Sequence, residues 1–166
     1  MNKHSNMIRN YLYVFYLLLF LIINGCGYKP LLIGSSYDFS IKVENSLGNE
    51  QINNMIENKL QALDGIKKIF KVSLNSNETR NIISKDSKGD PTILEIIISL
   101  KYKLSENGEV LVNRNLTQRS TYDNISDKFE LSRSEKILRD TLVENLVSDI
   151  INSGSNLILN PMINDN

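Results

Sequence analysis

Residues 92–105 alternate apolar and polar side chains, and no other stretch restricts the chain as much. Leu94, Ile96, Ile98, Leu100, Tyr102 and Leu104 share one phase; Ile93, Glu95, Ile97, Ser99, Lys101 and Lys103 share the other. Successive side chains of an extended backbone point to opposite faces, so this period of two describes a strand with one face buried. Asn107-Gly108 follows directly and marks a hairpin turn. Val110, Val112 and Leu116 continue on a return strand that runs to about Tyr122.

Two registers are open for this hairpin. A two-residue Asn107-Gly108 loop sets Leu104 against Leu111, Tyr102 against Asn113 and Ile96 against Arg119. A three-residue loop, Glu106 to Gly108, sets Leu104 against Val110, Tyr102 against Val112 and Ile98 against Leu116. It also brings Glu95 against Arg119, a favourable cross-strand charge pair, and leaves Arg114 opposite Leu100. The charge pair favours the three-residue loop.

Phe39, Ile41 and Val43 alternate with Ser40, Lys42 and Glu44, which predicts a first half-buried strand. Asn49 is placed to cap a helix carrying Ile52, Met55, Ile56, Leu60 and Leu63 on one face, with Gly65 as its stop. Ile69 to Leu74 reads as a second, weaker strand. Asn75 to Asp90 is polar and ends in Gly89-Asp90-Pro91, so it reads as a loop in which Arg80, Lys85 and Lys88 are solvated. Ser132-Arg133-Ser134-Glu135 has the form of a capping box. The helix it opens carries Ile137, Leu138, Leu142, Leu146, Val147, Ile150 and Ile151, and Gly154 is expected to close it.

The order β-α-β-β-β-α implies an α+β, two-layer sandwich: a four-stranded mixed sheet with two helices on one face. The second face is then uncovered. Ile93 and Ile97 lie there beside Lys101 and Lys103. They read either as a partner surface or as scattered surface isoleucines. The two lysines read either as contacts for a lipid substrate or as solvated side chains.

Composition narrows the function. The 19 basic and 19 acidic residues balance, so no nucleic acid is expected as a partner. Cys26 is the only cysteine and His4 the only histidine. Cysteine catalysis and a zinc site are both disfavoured, because a nucleophilic thiol needs a base and zinc needs several ligands. A hydrolase would need a Ser-Lys or paired-carboxylate site, and no such spacing stands out. The expectation is a non-enzyme with no cofactor and no metal.

Lys3 and Arg9 precede 13 uncharged residues, Tyr11 to Ile23. That run suits the apolar region of a signal peptide and is short of the roughly 18 residues a spanning helix needs. Ile23-Asn24-Gly25-Cys26 then follows the pattern of a lipoprotein signal, an aliphatic residue and two small residues before cysteine, although Asn24 fits less well than Ala or Ser. Cleavage after Gly25 would leave Cys26 as a lipidated N-terminus. The alternative is an ordinary signal peptide, or a short anchor, with an incidental cysteine. Gly27 replaces the Asp that holds enteric-type lipoproteins at the inner membrane, which favours the outer membrane, periplasmic face. Acyl chains contribute roughly 0.8 kcal/mol per buried CH₂, so two or three would make anchoring nearly permanent. The expected division is signal peptide 1–25, lipidated linker 26–37, folded domain 38–154 and flexible tail 155–166.

Cys26-Gly27-Tyr28-Lys29-Pro30-Leu31 resembles the Cys-Gly-Phe/Tyr-x-Pro-Leu opening of the LPS-assembly lipoprotein LptE family, in its alphaproteobacterial form. The order of elements is similar across most of the mature chain. So is the passage from Arg119-Ser120-Thr121-Tyr122 into a long last helix. The resemblance implies a lipoprotein of the outer membrane that plugs the β-barrel protein LptD, supports that barrel's assembly and binds lipopolysaccharide. It implies no covalent chemistry, and basic residues on the domain as lipid contacts; Lys101 and Lys103 are the candidates here. The competing expectation is an auxiliary lipoprotein of another envelope lipid-trafficking complex.

Overall fold

The computed structural model describes residues 37–159. Residues 1–36, on which the expected signal peptide, Gly25, Cys26 and most of the expected linker fall, and residues 160–166 lie outside the described residues. The elements are β1 (Phe39–Gly48), α1 (Glu50–Leu60), β2 (Lys68–Lys85), β3 (Pro91–Glu106), β4 (Glu109–Asp123) and α2 (Lys128–Leu159). The strands lie in the order β1-β2-β3-β4, with β1 parallel to β2 and the other neighbours antiparallel. A parallel pair needs a crossover connection, and α1 supplies it. The domain is the α+β sandwich that the sequence implies, with both helices on one face of a mixed sheet.

The core forms on that face. Ile96, Ile98, Leu100, Tyr102 and Leu104 of β3 are all buried, as their alternation requires. They meet Leu142, Val143, Leu146, Val147, Ile150 and Ile151 of α2 and Ile52, Ile56 and Leu60 of α1. Phe39 and Phe70 meet edge to face, ring centres 5.7 Å apart. Tyr102 keeps its hydroxyl satisfied in this apolar layer through Ser153 Oγ at 2.8 Å, which removes the cost of burying an unpaired polar group. Asn49 caps α1, its Oδ1 accepting from Ile52 N at 3.0 Å.

Four local expectations are corrected. The first concerns β2, which does not end near Leu74; it continues to Lys85 and is the longest strand. Its second half pairs with β3 from Asn75↔Lys101 to Ile82↔Leu94. The stretch looks like a loop in sequence because its core-facing positions, Ser76, Glu78 and Arg80, are polar.

The hairpin takes neither predicted register. The turn is the two-residue Asn107-Gly108, both with positive φ (52° and 89°), and Glu106 faces Glu109. A bulge at Leu111 then shifts the ladder by one, so Leu104 faces Val112, Tyr102 faces Arg114 and Leu100 faces Leu116. Arg119 lies opposite Ile97, and Glu95 lies opposite Thr121. The expected Glu95–Arg119 pair does not form as a direct cross-strand pair.

The last helix begins four residues before the capping box. Asp127 Oδ1 accepts from Phe129 N at 2.9 Å and Glu130 N at 3.2 Å, so Asp127 caps the helix and Ser132 sits inside it. Gly154 does not close the helix, which runs on to Leu159.

The glycines expected as stops serve close packing instead. α1 ends at Leu60, with Gln61 N donating to Glu57 O at 2.9 Å. At Gly65 a Cβ would lie 2.1 Å from Phe39 N. At Gly154 it would lie 2.8 Å from Phe39 Cε2.

Candidate functional site

The uncovered face of the sheet carries the residues that the sequence singled out. Lys101 and Lys103 both project from it and are exposed. Lys101 stands between Asn75 of β2 and Asn115 of β4, and Lys103 between Ser73 and Asn113. Lysines two apart on a strand sit roughly 6.6–6.8 Å apart along it. Their neighbours across the ladders are therefore amides and a hydroxyl, and among the described residues neither lysine takes part in an ion pair.

A bulge in β1 completes this surface. The ladder slips between Val43 and Asn45, leaving Glu44 unmatched, and the Glu44 carboxylate takes the Lys71 ammonium at 2.7 Å. The slip places Asn45 opposite Ser73 and Leu47 opposite Asn75, on the open face. Leu47 is thereby left 66% exposed, in the exposed second half of β1. Gly48 has φ +88°, and a Cβ there would lie 1.9 Å from Ser76 O, so only glycine lets the chain turn here. Behind the turn, Asn53 Nδ2 donates to Leu47 O at 2.8 Å, and Ser76 Oγ lies 2.8 Å from Asn53 Oδ1. This polar cluster fixes β1 against β2. The result is an open concavity of about 410 Å³ lined by Asn45, Ser46, Leu47, Ser73, Leu74, Asn75, Lys101 and Lys103.

The same face carries Ile97, half-buried, with the exposed Arg119 directly across the ladder. Arg119 was assigned to a charge pair by the sequence pattern; in the structure it is a third cation of the open face without an ion pair among the described residues. Chemically, the concavity offers two adjacent ammonium groups, neutral amide donors and the exposed Leu47 side chain, with Ile97 and Arg119 further along the same face. Such a set suits a phosphate or carboxylate attached to an apolar body. It contains no nucleophile with a partnered base.

The other polar constellation lies on the covered face. Arg139 of α2 grips Glu78 of β2 through two hydrogen bonds. Glu135, one turn earlier, accepts from Tyr122 Oη at 2.7 Å and Arg80 Nη2 at 2.9 Å. The Arg139 hydrogen bond, which outweighs the opposing effect of burial, holds the Glu78 carboxyl below its ordinary value. Burial, then the hydrogen bond to Glu135, pushes the Tyr122 phenol up to about 12. A carboxylate already neutralised and a phenol that resists ionisation are poor acid–base catalysts near neutrality. No group of metal-ligating side chains occurs among the described residues. These five residues clamp the first half of α2 to the sheet, where the helix contributes no fully buried side chain before Leu142.

No protein-family model matches the chain, and the comparison with curated proteins returned no match. Solved structures do match. The crystal structure of the rare lipoprotein B from Shewanella oneidensis is similar at a TM-score of 0.54 and 14% identity, over 74% of this chain and 96% of that one. The solution structure of lipoprotein B from Nitrosomonas europaea is similar at 0.53 and 13% identity, over 80% of this chain and 92% of that one. At such identities the likeness establishes a shared fold.

Proposed function

We propose that this chain is an outer-membrane lipoprotein, tied to the periplasmic face by acyl chains on Cys26, that plugs and supports the assembly of an LptD-like β-barrel and assists lipopolysaccharide transport without catalysing a reaction. The observation that carries this reading is the shared fold: two solved structures called lipoprotein B cover nearly their whole length on this chain. The hexapeptide from Cys26 to Leu31 adds the anchor and the family resemblance. The open sheet face, with its unpaired Lys101 and Lys103, supplies a surface of the right chemistry for an anionic lipid headgroup.

The test is affinity capture of the lipidated protein from its native envelope. Recovery of a large β-barrel protein supports the barrel reading. Recovery of an inner-membrane transporter with a lipid-binding subunit instead supports the auxiliary-lipoprotein reading. Mass spectrometry of the mature N-terminus tests the acyl chains on Cys26 separately.

A further inference from the structure

The sheet has two edges, and they are finished differently. β1 carries the exposed Lys42 and is broken by the bulge at Glu44, so only Phe39 to Val43 and Asn45 to Gly48 keep a register. Lysines, bulges and short strands are devices that stop an edge from pairing with another chain. β4 has none of them beyond its turn. From Val112 to Asp123 its ladder to β3 is unbroken. That is roughly 40 Å of extended backbone, without lysine, proline or glycine, and no described strand lies beyond it.

The backbone groups on that edge can be assigned. Asn124 N donates to Thr92 O at 2.8 Å, and Ile93 stands opposite Asp123. Residues of an antiparallel ladder alternate between bonding across it and facing away. The even-numbered residues from Val112 to Tyr122 therefore bond to β3. Asn113, Asn115, Thr117, Arg119 and Thr121 turn both N–H and C=O to the side where no described strand lies.

Charge decides what can add there. Between Glu109 and Asp123, β4 carries Arg114 and Arg119 and no acid. Both are exposed, and neither takes part in an ion pair among the described residues. Arg114 lies opposite Tyr102, on the helix side of the sheet, and Arg119 opposite Ile97, on the open side. An added strand therefore meets one cation on each face. A second copy is a poor match. Paired residues of neighbouring strands share a face, so in an antiparallel dimer Asp123, on the open side, never meets Arg114. It meets Arg119 only in a register that pairs Arg119 to Asp123 and leaves the rest of the edge bare.

We propose that the β4 edge takes an extended acidic segment of the partner protein as an added strand, with carboxylates five positions apart meeting Arg114 and Arg119. Main-chain hydrogen bonds supply the affinity of such an addition, and the flanking side chains its selectivity. That the barrel supplies the segment rests on the proposed plug function; the pairing itself does not. The concavity lies toward β1, at the other side of the sheet, so an added strand leaves it open for lipid.

The probe is a synthetic peptide of alternating valine and threonine with two glutamates five positions apart, added to the full lipidated protein. Amide exchange at Asn113, Asn115, Thr117, Arg119 and Thr121 is expected to slow about tenfold, while the even-numbered amides, already bonded, change little. Lysines in place of the glutamates, or Arg114→Glu with Arg119→Glu in the protein, should remove the effect. No slowing, or equal slowing by both peptides, overturns the proposal. Slowing that grows with protein concentration in the absence of peptide assigns the edge to a second copy and overturns it as well. Thr117→Pro carries the test to the native envelope, because it removes an outward N–H and no bond to β3. If the wild type captures a barrel protein, folded Thr117→Pro and the double arginine variant should each capture about fivefold less; equal capture overturns the barrel as supplier. If the wild type captures none, the plug function fails and the peptide still decides the edge.

Discussion

Arg139 reaches back across 61 residues to hold Glu78, with Nε 2.8 Å from Oε2 and Nη2 2.9 Å from Oε1. Both side chains are only 13% exposed. A two-point, largely shielded pair is worth more than a surface ion pair, because solvent screens it less and removing one partner strands the other. Arg139→Met is expected to lower the unfolding free energy by roughly 2–3 kcal/mol, read from urea denaturation. Arg133→Met, which loses only a 4.0 Å contact with Glu130 between exposed side chains, should leave it nearly unchanged.

The same pair gives a pH dependence of definite sign. The folded pKa of Glu78 lies below its ordinary value of 4.5, chiefly through the Arg139 hydrogen bond. Its contribution is complete above the unfolded value and is lost as pH falls through the lower folded value. Denaturation midpoints measured from pH 6 downward, a window of about two to three units, should show a shallower loss of stability in Glu78→Gln than in the wild type. Parallel curves would contradict this.

Tyr122 predicts the opposite limb. Its phenol is raised from 10.0 to about 12, by burial first and then by its hydrogen bond to Glu135. Stability from the un-ionised phenol is present below the ordinary value and is lost as pH rises through the folded one. Ultraviolet titration should show a tyrosine component ionising at about 12, and Tyr122→Phe should remove that component. The variant should cost about 1 kcal/mol, since Arg80 remains 2.9 Å from the Glu135 carboxylate.

Two glycines separate side-chain crowding from backbone crowding. Gly154→Ala gains helix propensity but presses a Cβ against the Phe39 ring, which is already flanked by Tyr37 and Phe70. A net loss of about 1 kcal/mol is expected. Gly65→Ala would drive a Cβ into the backbone of Phe39 and Tyr37, which cannot rotate away, and should cost more than roughly 2 kcal/mol. Thermal melts of the two variants should keep that order.

Lys101→Glu with Lys103→Glu tests the open face. Both side chains are exposed and without ion-pair partners among the described residues, so stability should change by less than about 0.5 kcal/mol. Binding of anionic lipid to the domain should fall at least tenfold. Unchanged binding would move the lipid contact elsewhere.

The parts of this fold that were legible in sequence are those where burial and periodicity agree. β3 declared both its faces, and with them the placement of Lys101 and Lys103. Asn49 declared the start of α1. The second half of β2 was illegible because Ser76, Glu78 and Arg80 occupy core-facing positions and are satisfied by Asn53, Arg139 and Glu135. Those partners lie in other elements, one of them 61 residues away, so no local pattern could reveal them. A polar strand face completed by a distant helix reads as a loop.

Bulges hid the remainder. The two-residue turn and the residue inserted at Leu111 together displaced Arg119 from Glu95, and one inserted at Glu44 brought Asn45 and Leu47 onto the open face. The wall of the concavity nearest β1 therefore depends on a ladder slip that alternation alone does not encode. Ser132 and Glu135 had the spacing of a cap, but Asp127 begins the helix earlier and Glu135 turns inward to Tyr122. Local rules found the elements; tertiary partners decided their ends.

The parallel pairing of β1 with β2 also has a mechanical side. The chain leading in from residue 36 joins β1 at Phe39, the end where its ladder to β2 starts. A pull directed along β1 from that end loads the hydrogen bonds from Phe39 to Gly48 together in shear instead of opening them one after another like a zip. A load applied at the start of β1 thus meets the strand arrangement that resists tension best, while the helices on the far layer stay seated.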